Sequence, residues 1–235
     1  MPVVGAKCGS YVHTRHLSNK KNNKGGLLML YAYTEAGDKI SPYPGGSAFC
    51  DNGHKMISKC GSIVVWHWAH EKDCICDLWA EHESAWHLNW KKHFPPDCVE
   101  ISMERDGERH RADIFTQRGV VIELQHSSLS PYEILKREQF YQNMIWIFDT
   151  KEPCEDDRLD FRQRDGYYTF RWKHPRKHIA TAEKRAYLDV GDGWLFQVKK
   201  MYVEAPCRGW GYFVEKNNFI RLHTPKTNLN KEEAA

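Results

Sequence analysis

Apolar and polar positions change period several times along the chain, and each change marks an element. Leu27 to Tyr33 reads as a strand, and Gly37, Pro42, Pro44, Gly45, Gly46 and Ser47 mark the loop that follows. From Trp79 to Phe94 the spacing is helical, with Trp79, Trp86 and Trp90 on a narrow stripe that Glu83 borders. His87 stands one turn beyond Glu83, and Pro95-Pro96 stops the helix. Cys98 to Glu104 then alternates as a strand, with Val99, Ile101 and Met103 on one side. An Asp106-Gly107 turn predicts a hairpin that returns through Arg109 to Phe115.

Gly119 opens a second β pattern, in which Val120, Ile122 and Leu124 face one way and Val121, Glu123 and Gln125 the other. Ser130-Pro131-Tyr132-Glu133 supplies an N-cap, a proline at N1 and a capping-box glutamate. This predicts a helix over about 131 to 143. Met144 to Phe148 is an uninterrupted apolar run of strand length, as a strand covered on both faces requires. Residues 151 to 166 are charged and read as a linker, and short apolar runs at 186–190, 194–198 and 210–214 predict a β-rich C-terminal part. The last dozen residues are polar and expected to be disordered.

These elements predict a mixed α/β (α+β) chain in three parts. Residues 1–76 form an N-terminal Cys/His module, 77–150 a compact core, and 151–235 a β-rich region with a polar tail. With 235 residues and nine tryptophans the chain can bury a sizeable core. A net charge of +3 leaves any nucleic-acid binding to local patches. No stretch approaches the ~18 apolar residues of a membrane span. The N-terminus lacks a signal-peptide pattern, so a cytoplasmic setting is expected, with the eight cysteines as thiols or metal ligands.

Three clusters carry candidate chemistry. A short hairpin would bring Asp113 close to Glu123, and two such carboxylates repel unless a proton or cation lies between them. Mg²⁺ or Mn²⁺ suits them, since such ions prefer carboxylate oxygens and water. Between Cys50 and His82 lie eight potential zinc ligands, among which Cys50, His54, His67 and His70 are the candidate set. The same residues can also be packed as ordinary core groups. Basic residues at Arg15, Lys20 and Lys21, and at Lys173, Arg176 and Lys177 beside Trp172, suit solvated loops or phosphate contacts.

The order His67-Trp68-Ala69-His70, Glu83-Ser84-x-x-His87, Ala112-Asp113, Ile122-Glu123-Leu124-Gln125-His126-Ser127 and Tyr141 before Ile145-Trp146-Ile147 resembles the competence protein CoiA family. That family has a restriction-endonuclease-like, PD-(D/E)xK core. The resemblance spans about residues 48 to 150 and implies a nuclease-like core behind a small Cys/His module, with DNA as the substrate. Gly53 departs from the second cysteine of the family's C-x-x-C, and Gln125 stands where the wider superfamily has lysine.

The expected activity is divalent-metal-dependent endonucleolytic hydrolysis of DNA, linked to uptake or recombination. Asp113, Glu123 and the Leu124 carbonyl would hold Mg²⁺ or Mn²⁺, with Glu83 completing the shell and His87 orienting it or touching phosphate. Gln125 would orient water or donate to the phosphate. Two alternatives stand beside this. One is a weakly or non-catalytic DNA-binding recombination mediator that retains the nuclease fold and works with recombination proteins. The other is a structural zinc module whose carboxylates pair with Arg109 and Arg111.

Overall fold

A computed structural model of the chain describes residues 29–71 and 83–224. The expected basic arm at Arg15, Lys20 and Lys21, the predicted helix start at Trp79 and the polar tail lie outside these residues.

The N-terminal part is an antiparallel sheet of β1 (Ala32–Tyr33), β2 (Lys39–Ile40), β3 (Ser47–Phe49), β4 (Lys55–Lys59) and β5 (His67–His70), in the order β2-β1-β3-β4-β5. Trp68 is fully buried there among Met29, Ala32, Ala48, Cys50 and Met56, a small core of its own.

The rest of the described chain builds one nine-stranded sheet and four helices. The strands are β6 (Val99–Arg105), β7 (Glu108–Phe115), β8 (Val121–Gln125), β9 (Met144–Asp149), β10 (Leu159–Gln163), β11 (Tyr168–Trp172), β12 (Arg185–Gly191), β13 (Trp194–Tyr202) and β14 (Cys207–Glu215). They lie in the order β10-β11-β14-β13-β12-β9-β8-β7-β6. The helices are α1 (Ala85–Lys91), α2 (Pro131–Tyr141), α3 (Lys151–Glu155) and α4 (Lys216–His223). The protein is thus mixed α+β and mostly strand.

The β6–β7 hairpin turns through Asp106 and Gly107, both with positive φ, as the Asp-Gly pair predicts. β8 and β9 run parallel, joined through α2, and every residue of β8 is buried. Ile122, Leu124, Ile145 and Ile147 pack with Trp86 and Trp90 of α1 and Phe219 of α4 on one face. Val121, Trp146 and Phe148 pack with Ile134 and Phe140 of α2 on the other. Central strands covered on both faces explain the uninterrupted apolar run at 144–148.

Two expectations are corrected. Residues 151–166 are no linker: they hold α3 and β10, because Leu159 and Phe161 alternate with Asp160 and Arg162 and turn into the core. The expected boundary at 150 therefore falls inside one sheet, where β12 pairs in parallel with β9 and sets Leu188 beside Phe148. Helix α1 also starts later than its apolar stripe suggests. Ser84 caps it, accepting from the His87 N–H while the His87 ring accepts from the Ser84 N–H, so Glu83 precedes the helix.

Candidate active site

Strand register sets the geometry. Val99 lies opposite Ile114 and Ile101 opposite Ala112, which places Glu100 opposite Asp113. Ile114 lies opposite Ile122, which places Asp113 opposite Glu123. Three acidic positions thus form one row across β6, β7 and β8. Beyond Ile114 the β7–β8 ladder stops, and side chains take over the backbone's hydrogen bonds. The Asp113 N–H donates to Glu123 Oε1 at 3.2 Å, and the Leu124 N–H donates to Asp113 Oδ2 at 2.9 Å. Each carboxylate is thereby oriented by the other strand's main chain.

The cation that keeps this row together is Lys91, from the last turn of α1. Its ammonium lies 3.0 Å from Asp113 Oδ1 and 3.3 Å from Glu100 Oε1, and it also pairs with Glu83. Burial alone would lower the Lys91 pKa, but Asp113, Glu83 and Glu100 together hold it above the ordinary value. Burial would likewise raise Asp113, yet Lys91, His87 and the Leu124 N–H keep it below its usual range. For Glu83 burial wins over the Lys91 attraction and pushes the carboxyl up to about 7. Glu83 Oε2 is buried with no hydrogen-bond partner among the described residues.

The one-turn spacing of Glu83 and His87 does not bring the two side chains together. Instead Glu83, outside the helix, meets Lys91. The His87 ring accepts from Ser84 at Nδ1, so its Nε2–H donates to the Leu124 carbonyl at 3.1 Å. On the opposite face Arg137 of α2 contacts Glu123 Oε2 at 3.3 Å. The carboxylates are therefore met by Lys91 and Arg137, while Arg109 reaches Asp51. Gln125 donates from its amide to the Ser127 carbonyl (2.9 Å) and hydroxyl (3.3 Å).

Two further groups frame the site. Asp189, at the end of β12, accepts from the indole N–H groups of both Trp86 and Trp90 at 2.8 Å, fixing α1 over the sheet. Glu100 adopts φ +52° and accepts from the main chain of Leu30 and Tyr31, tying the N-terminal part to the same row. Neither was singled out from sequence. Glu100 had a signal, because a two-residue hairpin turn already places it opposite Asp113; Asp189 had none, lying 103 and 99 residues from the two tryptophans it accepts from.

At the C-terminal ends of the parallel strands β8 and β9, His126 Nδ1 lies 2.8 Å from Asp149 Oδ2. Arg176 bridges the two backbones, donating to the His126 carbonyl at 2.7 Å and the Asp149 carbonyl at 3.1 Å. With Lys177 and His178 it lines an open cavity of about 650 Å³ beside Ser128 and Leu129. Lys173 and Lys177 are exposed, while Trp172 is buried, so the expected basic-aromatic segment offers its cations but not that ring.

In the N-terminal sheet, Cys50, His54 and His70 bring their ligand atoms within 4.8 Å of one another. His67 is not in this group; its Nδ1 contacts the Val65 carbonyl at 2.8 Å. The reason is strand alternation over an odd spacing: His67 and His70, three apart on β5, face opposite sides. Cys74, Cys76 and His82 lie outside the described residues.

A central parallel strand pair flanked by helices, with acidic residues clustered where an adjoining antiparallel strand diverges, is consistent with a nuclease-like α/β fold. Residues 98–203, a little under half of the chain, match the family model described as competence protein CoiA, nuclease-like domain, and that segment is similar to the family. The match takes in Asp113, Glu123 and Gln125 and continues past residue 150, as the sheet does. No curated protein and no solved structure matches the chain. Among the described residues no helix is long and apolar enough to cross a membrane.

Proposed function

We propose that the protein hydrolyses DNA phosphodiester bonds with a divalent metal, as an endonuclease in DNA processing tied to uptake or recombination. The observation that carries this reading is the mutual main-chain orientation of Asp113 and Glu123 where β7 leaves β8. A structural ion pair has no need of it.

The donor set fits Mg²⁺ or Mn²⁺. Asp113, Glu123, Glu83 and the Leu124 carbonyl offer hard oxygen atoms, and the unpartnered Glu83 Oε2 is a buried oxygen that a cation would satisfy. A bound ion there would lower the pKa of its water and neutralise charge on the phosphate.

The chain's own groups would do the rest. Arg137 fixes the outer oxygen of Glu123, and the Asp113 N–H fixes the inner one. His87, locked as a donor by Ser84, holds the Leu124 carbonyl in place. Lys91 keeps the acidic row from repelling itself before any ion arrives. Gln125 supplies a neutral amide to orient water or meet phosphate. Lys173, Arg176 and Lys177 would contact the DNA backbone.

Calorimetric titration with Mn²⁺ and Mg²⁺ tests the reading. Binding by the wild type that is lost in Asp113→Asn supports it, and no binding by folded wild type removes it. One observation favours a second reading, a DNA-binding recombination mediator without turnover. Lys91 already neutralises much of the acidic row, and Gln125 brings no charge of its own. Metal binding without cleavage of single-stranded, duplex, nicked or branched DNA would select it.

A further inference from the structure

The outward face of β10, β11, β14 and β13 carries a pattern that packing does not require. On their inward face Leu159, Phe170, Trp172 and Cys207 join the core shared with α2. The inward positions of β14 include Gly209 and Gly211. A Cβ on Gly211 would lie 1.9 Å from the Gln197 carbonyl oxygen, and one on Gly209 2.5 Å from the Phe170 ring. Between these two glycines the strand is pressed so close to its surroundings that Trp210, the one side chain between them, projects outward.

Those outward side chains form rows across the sheet. Arg171 stands directly opposite Arg208, which in turn stands opposite Tyr202. Arg162 stands opposite Thr169, Thr169 opposite Trp210, and Trp210 opposite Lys200. Tyr167 and Tyr212 flank Trp210, with ring centroids 5.8 and 6.0 Å from it. Lys199 lies over the Tyr212 ring at 5.7 Å, and Lys200 over Tyr202 at 5.9 Å. Tyr167, Tyr202 and Tyr212 are each more than a third exposed.

The five cations Arg162, Arg171, Arg208, Lys199 and Lys200 are exposed, and none makes an ion pair with a described residue. Asp160, opposite Arg171, is the lone acid on these rows. Like charges directly opposite one another destabilise a sheet, so an Arg–Arg pair set among exposed rings works against folding. A polyanion that also carries flat apolar groups relieves both features at once.

We propose that this face is a platform for single-stranded nucleic acid, phosphates meeting the arginines and lysines while unpaired bases stack on Trp210, Tyr212 and Tyr202. A duplex would offer its phosphates but keep its base faces hidden from these rings. The platform lies on the sheet face that carries α1. Val214, two residues along β14 from Tyr212, packs in the same cluster as Trp86 and Trp90. A strand lying across the platform is thus on the side from which Glu83 and Lys91 reach the acidic row. The proposal rests on the nuclease reading only for the identity of the bound polymer, and its test uses no cleavage.

Anisotropy of a labelled oligothymidylate strand, titrated with the full chain in chelator over a range of salt, reads the platform directly. The exposed double variant Arg171→Ser/Arg208→Ser should bind at least tenfold more weakly, with a salt slope shallower by about 1.4 for two lost phosphate contacts. Its melting temperature should equal or exceed that of the wild type, because the like-charge pair is gone. Tyr212→Ala should weaken binding about fivefold or more with the slope unchanged, since stacking releases no counterions. Mn²⁺ binding by both variants should match the wild type, which separates failure of the platform from failure of the acidic site. Unchanged affinity and slope in the double variant, or tighter binding of the matching duplex than of the strand, would overturn the proposal.

Discussion

Lys91 Nζ lies 3.0 Å from Asp113 Oδ1, with Glu83 and Glu100 also in contact, so one buried ammonium answers three carboxylates. Truncating one partner of a buried ion pair typically costs about 3–5 kcal/mol, because the remaining charge is left uncompensated. Lys91→Met should therefore lower the melting temperature sharply in chelator. Added Mn²⁺ should restore part of the loss by replacing the missing charge. A variant as stable as wild type in chelator would show that Lys91 does not hold the row together.

Glu83 sets a pH dependence. Its carboxyl is raised from an ordinary value of 4.5 to about 7 by burial. The folded state then binds the proton more tightly than the unfolded one, so this group's stabilising contribution is full below pH ~4.5 and is lost as pH rises towards 7. In metal-free buffer, Glu83→Gln should be less sensitive than wild type to a change from pH 5 to pH 7.5. Identical pH–stability profiles for the two proteins would refute the assignment.

Asp189 links the C-terminal strands to the helix that carries Lys91. Removing its carboxylate leaves two buried indole N–H groups without their acceptor, at about 1–3 kcal/mol each. Asp189→Ala should lose roughly 2–6 kcal/mol on that basis and bind Mn²⁺ more weakly, because α1 is no longer fixed over the sheet. Asp189→Asn keeps an acceptor oxygen and should recover much of both. Equal behaviour of the two variants would argue against a positioning role.

Much of the core could be read directly. The Asp106-Gly107 turn, the Ser130–Glu133 capping box and the apolar run at 144–148 are local signals, and each element appears where its signal lies. Asp113 and Glu123 came together for the same reason, a short connection between antiparallel strands. Lys91 escaped because helical periodicity assigned it only a place beyond the Trp86–Trp90 stripe, whereas its role depends on a strand that follows in sequence. The continuity of the sheet past residue 150 rests on a parallel pairing of β12 with β9, and no local pattern announces such a partner. A ligand set that holds both His67 and His70 conflicts with strand alternation, which carries the two rings to opposite faces.

If the Cys50, His54 and His70 group holds a metal ion, zinc is the one expected, the softer thiolate and imidazole donors suiting it better than magnesium. Purified protein should carry close to one zinc per chain, and Cys50→Ser should lose it together with thermal stability, since structural zinc contributes folding energy. His67→Ala should retain the metal. No zinc above background in wild-type protein, or full zinc in Cys50→Ser, would contradict this.

The most direct measurement is cleavage of DNA by wild type and by Glu123→Ala in the same Mn²⁺ buffer, with folding and DNA affinity checked in parallel. Glu123 sits on a fully buried strand, touched by the Asp113 N–H and Arg137. If it holds the metal, the variant should bind DNA nearly as well as wild type and lose cleavage by at least a hundredfold, about 2.7 kcal/mol of barrier. Cleavage that persists in proportion to folded Glu123→Ala protein, or no cleavage of any DNA by the wild type, would contradict the account.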